Sequence, residues 1–525
     1  VFSYIGYTDI KQSIDNRTVI DVAMKEEAHA INDVVVVGYG TLKKTQLVGA
    51  VETLDGDAIE NRSNANVTRS LQGMIPGLNI IQVDGKPTHQ GQIYIRGGQT
   101  SYDTRSKASS ATGAHRSIGQ GGSALVLIDG VEGDLTTVNP DDIESVSVLK
   151  DAASAAVYGA RGAFGVILVT TKNARKDKIS VTYNGSVSIN SRTVKTENEI
   201  VSDGLTWLDN FVEFFTNDKR TPTSGEKLPT NVNNRANTYS TEYHEEFRRR
   251  ATDKEYENYK NPYGKFPDKD NYAYYGSTNW YKLFYKNTSL GHTHNLSISG
   301  ASDRASFVIS GKYFNQDGIY KVGNEKFDSY NLRAKGDVAI TKWLKISNNT
   351  TLFKNKYHQP MVVGGEYPIG RQIEMRGQPI YTPYNEDGTS TFYGAALCYD
   401  LFKKDLAYQE DNKLNVVNTT TLTIEPIKDV LKFTADFSYK GIRTQRNRVS
   451  PIASGYTSET GIESYNSTSY KEDYRYNTDY VASNIVGTWT PKLGENHNLN
   501  VVAGWNIEKT NYRRLYIKRL GLLYD

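Results

Sequence analysis

The chain has 525 residues, a formal net charge of +3, a mean hydropathy of −0.57 and 1 cysteine. So balanced a charge argues against nucleic acid as a partner, and no apolar run approaches the roughly 20 residues of a membrane-spanning helix. A transmembrane β-barrel is not excluded, because its lipid-facing and lumen-facing residues alternate and its composition looks soluble; 37 Tyr, 44 Gly and 4 Met fit that class. The length allows about two to four domains. Cys398 has no partner for an intramolecular disulfide and reads as an inert thiol. No signal peptide opens the chain, so the expectation is either a cytoplasmic protein or a missing true N-terminus.

Residues 1–32 read as two short strands around a turn at Asp15-Asn16, too little to fold alone. "DVVVVGYG" (Asp33–Gly40) follows, a run of four β-branched residues between polar flanks. On propensity it is a strand, either within its own domain or pairing with something else.

From about 47 to 175 the pattern is mixed α/β. "NVTRSLQGMIPGLNI" reads as a short helix ended at Gly73 or Pro76, "GQIYIRGG" as a strand, and "ALVLIDGV" as a buried strand entering a turn at Asp129-Gly130. "NPDDIESVSVLKD" opens with Pro140 and acidic residues, which predicts a helix start. "SAAVYGARGAFGVILVTTK" predicts a small-residue helix, a Gly-rich turn and a strand over Val166–Thr170. The Gly/Ser-rich stretch 100–123 reads as an exposed loop.

Beyond Lys178 the period is almost wholly two. Ile179, Val181, Tyr183, Val187 and Ile189 share one face, and Ser180, Thr182, Asn184, Ser186 and Ser188 the other. Similar segments near 294–300, 305–319, 330–340, 344–357, 414–424, 431–440, 478–490 and 498–512 bring the total to nine strands. The turns "ASDR", "TKW", "PIKD" and "PKLGENH" alternate with mostly long connections, about 190–290, 357–413 and 441–477. Short turns on one side and long loops on the other mark an outer-membrane barrel, here with an odd, unpartnered last strand and therefore incomplete.

Together, "NDVVVVGYG", "SLQGMIPGLNI", "YIRGG", "ALVLIDGVEGD", "NPDDIESVSVLKDAASAAVYGARGAFGVILVTTK" and "HNLSISGASDRASFVISGKYFNQDG" resemble the SusC class of TonB-dependent outer-membrane transporters of Bacteroidetes-type bacteria. The resemblance implies a mainly β protein: an α/β plug domain inside an antiparallel barrel of about 22 strands, the plug over 47–175 and the first part of the barrel over 176–525. It implies that residues 1–32 end a carboxypeptidase-regulatory-like β-sandwich in the periplasm, and that 33–46 hold the TonB box and linker. Asp33, Val34, Val35, Val36, Val37, Gly38 and Tyr39 then form the strand that adds to the sheet of TonB.

The partners so implied are a SusD-like surface lipoprotein acting as a lid, the TonB–ExbB–ExbD complex, outer-membrane lipid and an oligosaccharide, with two transporter–lid pairs in a dimer. No cofactor is called for. No Gly-x-x-x-x-Gly-Lys-Ser/Thr loop is present for ATP, so energy arrives from the proton gradient through TonB. Gly159–Gly165 enters a strand and reads as a tight turn rather than a dinucleotide loop. Arg96 and Arg161 resemble family arginines that pair plug with barrel.

His292 and His294 share a strand face without a third metal ligand nearby in sequence, and Asp268 and Asp270 lack the spacing of a calcium loop. The stretch Tyr256–Tyr285 packs eight Tyr, one Trp and two Phe into thirty residues. Its Tyr274, Tyr275, Trp280 and Tyr281 are candidates for stacking on sugar; an interfacial girdle or a loop core is the alternative. Tyr102 and Arg105 form a second candidate. Import of an oligosaccharide is the leading expectation, import of oligopeptides or another bulky nutrient the second, and a soluble carbohydrate-active enzyme or adhesin the third. No carboxylate pair or nucleophile constellation supports an enzyme.

Overall fold

The computed structural model describes residues 22, 34–37, 40–43, 50–60, 62, 67–81, 85–88, 91–95, 124–174, 179–217, 231–232, 235–236, 241–252, 262–265, 272–363, 368–458, 461–466, 468–491, 493 and 499–521. They fall into two compact units: one from Val1–Gly85, His89–Thr136 and Pro140–Lys172, the other from Lys86–Thr88, Thr137–Asn139 and Asn173–Asp525.

In the first unit, β1 (Val34–Val37) pairs antiparallel with β2 (Gly40–Lys43). β3 (Val51–Asp55) is followed by the short helix α1 (Val67–Leu71), which stops just before Gly73 at φ +75°. β4 (Leu78–Ile81) and β5 (Gln92–Ile95) pair with each other. β6 (Leu125–Ile128) turns into β7 (Val131–Glu132) through Asp129 and Gly130, both at positive φ, as a two-residue hairpin turn of right-handed twist requires. The Asp129 carboxylate accepts from the Thr171 backbone N–H at 3.0 Å and tethers that turn to the neighbouring strand.

The predicted helix after Pro140 lasts a single 3-10 turn, Pro140–Asp142, and becomes β8 (Ile143–Leu149). Proline and two aspartates do start a helical turn, but most of the residues after them are β-branched or serine, and Val146, Val148 and Leu149 are wholly buried in a central strand. α2 (Ala152–Ala155) runs into a 3-10 stretch, Ala156–Gly162, and then β9 (Val166–Thr171). The sheet order is β3-β8-β9-β6-β7, with β6 and β9 parallel.

The second unit opens on β10 (Ser180–Ser191). A long connection then carries α3 (Gly204–Asn217), β11 (Asn231–Val232), β12 (Arg235–Ala236), α4 (Thr241–Thr252), β13 (Tyr263–Lys265), β14 (Tyr272–Tyr274) and α5 (Trp280–Phe284). β15 (Thr288–Ala301), β16 (Ala305–Asp317), β17 (Lys326–Ala339) and β18 (Leu344–Pro360) follow. A second connection holds α6 (Ile369–Arg376), α7 (Phe392–Ala396) and α8 (Tyr399–Lys403). Then come β19 (Tyr408–Ile427), β20 (Leu431–Ser450), a third connection with β21 (Ala453–Tyr456) and β22 (Ile462–Asn466), and finally β23 (Tyr470–Trp489) and β24 (Val501–Leu520).

The long strands form one antiparallel sheet of nine, β10-β15-β16-β17-β18-β19-β20-β23-β24, in chain order. One face is apolar and open: Ile179 just before β10, Val181, Val187 and Ile189 on β10, Ile485 and Trp489 on β23, and Trp505 and Ile507 on β24 all stand exposed. Trp343 and Trp489 mark its short-turn end. Towards the long connections the same face turns polar, where Asp479 accepts from Arg443 and from the Tyr439 hydroxyl. A polar quartet interrupts the face between β18 and β19: Asn348 donates to Thr420 at 2.9 Å and Asn418 to Thr350 at 2.7 Å, so these groups satisfy one another. β19, β20, β23 and β24 each run 20 residues, far more than the about 9–11 that a bilayer needs.

The long connections are not open loops. They share a core of Leu208, Phe247, Trp280, Phe284, Ile373 and Phe402 with other apolar side chains, most of them entirely buried. Gly204, at the start of α3, lets that helix touch the chain at Gly276: a Cβ there would lie 2.0 Å from the Gly276 carbonyl oxygen and 2.9 Å from Phe247. Gly204→Ala is therefore expected to cost the connection layer about 1–3 kcal/mol, seen as earlier proteolysis within 204–252 on heating, while the barrel's heat-modifiable migration on gels stays unchanged.

Candidate functional site

The candidate residues separate into a short N-terminal strand, a buried loop core and a wall of the sheet. In the N-terminal strand, Val34–Val37 are extended and paired Val34↔Lys43 to Val37↔Gly40. One edge of the strand is thus held by β2, and the backbone conformation is the one that strand addition requires. Asp33, Gly38 and Tyr39 lie outside the described residues, as do Arg96, Tyr102, Arg105, Asp268 and Asp270. Arg161, expected to face the barrel, is ion-paired with Glu132 of its own unit.

The aromatic stretch chosen for sugar binding belongs mostly to the loop core, which corrects the reading of three of its four candidates. Tyr274, Tyr275 and Trp280 are 6%, 2% and 1% exposed. Tyr275 lies between the Tyr243 ring, 4.9 Å away, and the Arg250 guanidinium, 4.2 Å from its centroid. The Tyr274 hydroxyl donates to Asn385 at 2.8 Å, and Trp280 donates to the Gln378 carbonyl at 3.0 Å. Burial raises the pKa of both tyrosines. Aromatic density in a connection that folds on itself fills the core first, because each ring removes more apolar area from water than any other side chain. Tyr281 is partly buried and stacks on Tyr285 at 5.9 Å.

Salt bridges brace the outside of this layer. Glu246 on α4 binds Arg249 at 2.8 Å and Arg250 at 2.7 Å, and these bonds hold its carboxyl down at about 2. His292 and His294 do share a face, the apolar one, where His294 Nδ1 bonds the Tyr183 hydroxyl at 2.7 Å and His292 packs on Tyr313. Among the described residues no group of three or more His, Cys, Asp or Glu is arranged to hold a metal.

A cluster that the sequence reading missed stands on the polar face of β20, β23 and β24. Tyr474 is parallel to Tyr476, centroids 6.4 Å apart, and stacks on Tyr516 at 4.5 Å; Tyr476 meets Tyr512 at 6.5 Å. The Arg448 guanidinium lies 5.7 Å above Tyr474, that of Arg514 5.7 Å above Tyr476, and Lys518 Nζ 4.2 Å above Tyr470. Buried Glu472 accepts from the hydroxyls of Tyr474 at 3.2 Å and Tyr516 at 3.0 Å. The signal was present in "YKEDYRYNTDY": Tyr470, Tyr474, Tyr476 and Tyr480 fall at even spacing, hence on one face.

A model described as the TonB-dependent Receptor Plug Domain matches residues 43–166. TonB-dependent receptor P26 of Formosa agariphila is 26% identical over 543 residues, covering 100% of this chain and 46% of that protein. TonB-dependent receptor SusC of Bacteroides thetaiotaomicron is 35% identical over 214 residues, 39% of this chain and 19% of that protein. A solved structure of the RagAB peptide importer in its open-open state superposes with a TM-score of 0.69 at 22% identity, over 94% of this chain and 50% of that one. The chain carries a TonB-dependent receptor plug domain and is similar to the family of SusC-like TonB-dependent transporters.

Members of this family are β-barrels of the bacterial outer membrane, and the nine-stranded sheet with its exposed apolar face is the corresponding part of this chain. The chain spans about half the length of the relatives it matches, 46% of one and 50% of another. In such barrels the short turns face the periplasm, which puts the folded connections and the tyrosine cluster on the extracellular side.

Cys398 lies within that connection layer, 0% exposed, its sulfur accepting from the Val363 N–H at 3.4 Å. Burial pushes the thiol up to about 12. A maleimide is accordingly expected to leave it unmodified in the folded protein from roughly pH 7 to pH 10, across the ordinary thiol pKa of about 8.5. Reaction follows only after denaturation; labelling of the native protein that rises through pH 8.5 contradicts this burial.

Proposed function

We propose that the transporter carrying this chain imports an oligosaccharide, a breakdown product of a larger glycan, across the outer membrane. The observation that supports the substrate class is the partly exposed tyrosine cluster on the polar face, Tyr474, Tyr476, Tyr512 and Tyr516. Aromatic rings pack on the C–H faces of sugars, and the carboxylate and guanidinium groups beside them bond hydroxyls. A SusD-like lipoprotein closes over the extracellular mouth, and two such pairs form the dimer. The protein acts as a transporter and not as an enzyme.

Energy comes through TonB from the proton gradient. Capture of ligand under the lid favours the state in which Asp33–Tyr39 is presented to TonB, because a ligand shifts an equilibrium only by binding one state better. That segment adds to the TonB sheet through its backbone, and the extended Val34–Val37 fits this role. Within the plug, residues 47–175, Tyr102 and Arg105 meet substrate. Residues 1–32 close a periplasmic β-sandwich.

Growth on a panel of purified oligosaccharides and peptides as sole carbon source tests this with the full-length transporter, a deletion of Asp33–Tyr39 and Val36→Pro. Proline removes an N–H from the ladder and blocks strand addition. Growth on one glycan, lost in both variants, is the expected result. Growth on peptides alone contradicts the substrate class, and growth indifferent to either variant contradicts the coupling role of the segment.

A further inference from the structure

We propose that the outward face of β18 and β20 carries a site for the headgroup phosphate of an outer-leaflet lipid, built around Lys354 and Arg443. The site lies on the outside of the barrel wall and is independent of which nutrient passes within.

The register puts both residues in one row. Tyr313 pairs with Tyr330, Tyr330 with Lys354, Lys354 with Leu414 and Leu414 with Arg443, so these side chains stand side by side on neighbouring strands. The face is the apolar one: Ile346 on β18 and Phe437 on β20, both exposed, alternate in phase with Lys354 and Arg443. Trp343 marks the short-turn end of this face, and Lys354 follows 11 residues later. At about 3.3 Å per residue and a tilt of about 40°, that is about 28 Å in height, close to the thickness of a hydrocarbon core. The row therefore falls where the outer headgroups begin. The rings of Tyr313 and Tyr330, stacked at 4.9 Å, fit that level, since aromatic side chains gather at membrane interfaces.

Charge selects what the row meets. Lys354 is exposed and, among the described residues, has no hydrogen-bond or ion-pair partner. Arg443 is held in place from behind: its Nη1 donates to the carbonyls of Ile442 and Thr478, both at 3.1 Å, and its Nη2 bonds Asp479. Its side chain stays 41% exposed, and its Nε–H has no partner among the described residues. The two residues are two strands apart, about 10 Å between backbones, which side chains of this length bridge around one anion. Leu414 lies between them, with the pair Leu352 and Val416 one step towards the membrane, an apolar floor for the acyl chains.

The surroundings keep the surplus positive. Lys356 and Arg475 are matched by Glu410 and Asp473, each at 2.8 Å. Further out, exposed Lys326 and Lys471 have no ion-pair partner among the described residues, whereas Asp328 is occupied by the Tyr313 hydroxyl at 2.8 Å and Asn315 at 2.9 Å. Arginine and lysine together suit a phosphate, one as an oriented fork and the other as a point charge. Basic side chains at a membrane surface attract anionic headgroups in this way. The lipid that fits best has a phosphate not neutralised by an amine of its own.

Native mass spectrometry of the purified, delipidated full-length transporter in detergent tests this, with lipid A, dephosphorylated lipid A, phosphatidylethanolamine and inorganic phosphate as probes. Lipid A should be held most tightly. Its retention should fall about fivefold in Lys354→Gln, the worth of one basic residue at a membrane surface. Lys354→Arg should retain it, and Lys432→Gln, on the lumen face of β20, should leave it unchanged. Lys354 supports no other residue, so its loss leaves the fold intact. Equal retention of dephosphorylated lipid A or of phosphatidylethanolamine overturns the phosphate site. Lys354-dependent capture of inorganic phosphate without lipid overturns the lipid as its source, and lipid A binding that survives both Lys354→Gln and Arg443→Gln overturns the placement.

Discussion

Hydrocarbon offers no hydrogen bonds, so every backbone N–H and C=O that crosses it must find its partner within the protein. The rest of this structure follows from that demand. Each interior strand of the nine-stranded sheet is paired along nearly its whole length on both sides, and consecutive strands are always neighbours. Pairing of that kind fixes register, and register fixes which side chains point to which face. The exposed apolar set, from Ile179 to Ile507, goes to one side as a block, and the other side carries most of the polar residues together with buried apolar ones such as Phe314 and Phe353.

The same logic separates two populations of tyrosine. Those in the long connections fold onto one another and onto Trp280 and Phe284, where their rings are covered and their hydroxyls are used up on Asn385 and backbone carbonyls. Those on β23 and β24 cannot leave the wall, because their strands are held rigid by two ladders or by one long one. The rings of Tyr470, Tyr474 and Tyr476 therefore remain partly exposed, with cations drawn onto them. Composition alone does not distinguish these cases; attachment to a paired strand does.

The sequence was most readable where two solvents act on one strand. In β10 the alternation from Ile179 to Ile189 named the face correctly, since lipid and water each select their own residues. Beyond the apolar band both faces meet water, the alternation vanishes, and the outer ends of the strands, such as Tyr408–Lys413 and Arg443–Ser450, went unrecognised although the ladders continue through them. The turn at Asp129-Gly130 was legible because only certain residues tolerate positive φ there. The stretch after Pro140 was misread as helix because its capping residues are genuine, while burial between β3 and β9 decides the remainder. The candidates Tyr274, Tyr275 and Trp280 were misplaced because contacts with α4 and with the second connection, distant in sequence, cover them.

The central claim is that the two faces of this sheet meet different solvents, and spin labels placed one at a time at Val481, Ala482, Ser483, Asn484, Ile485, Val486 and Gly487 of the full-length transporter in bilayers test it most directly. Accessibility to oxygen, which partitions into lipid, should peak at the odd positions, where Ile485 is exposed on the apolar face. Accessibility to a water-soluble nickel chelate should not peak there. An absence of alternation, or a preference for the chelate at Ile485, would mean that the apolar face is not against lipid, and the barrel account would fail.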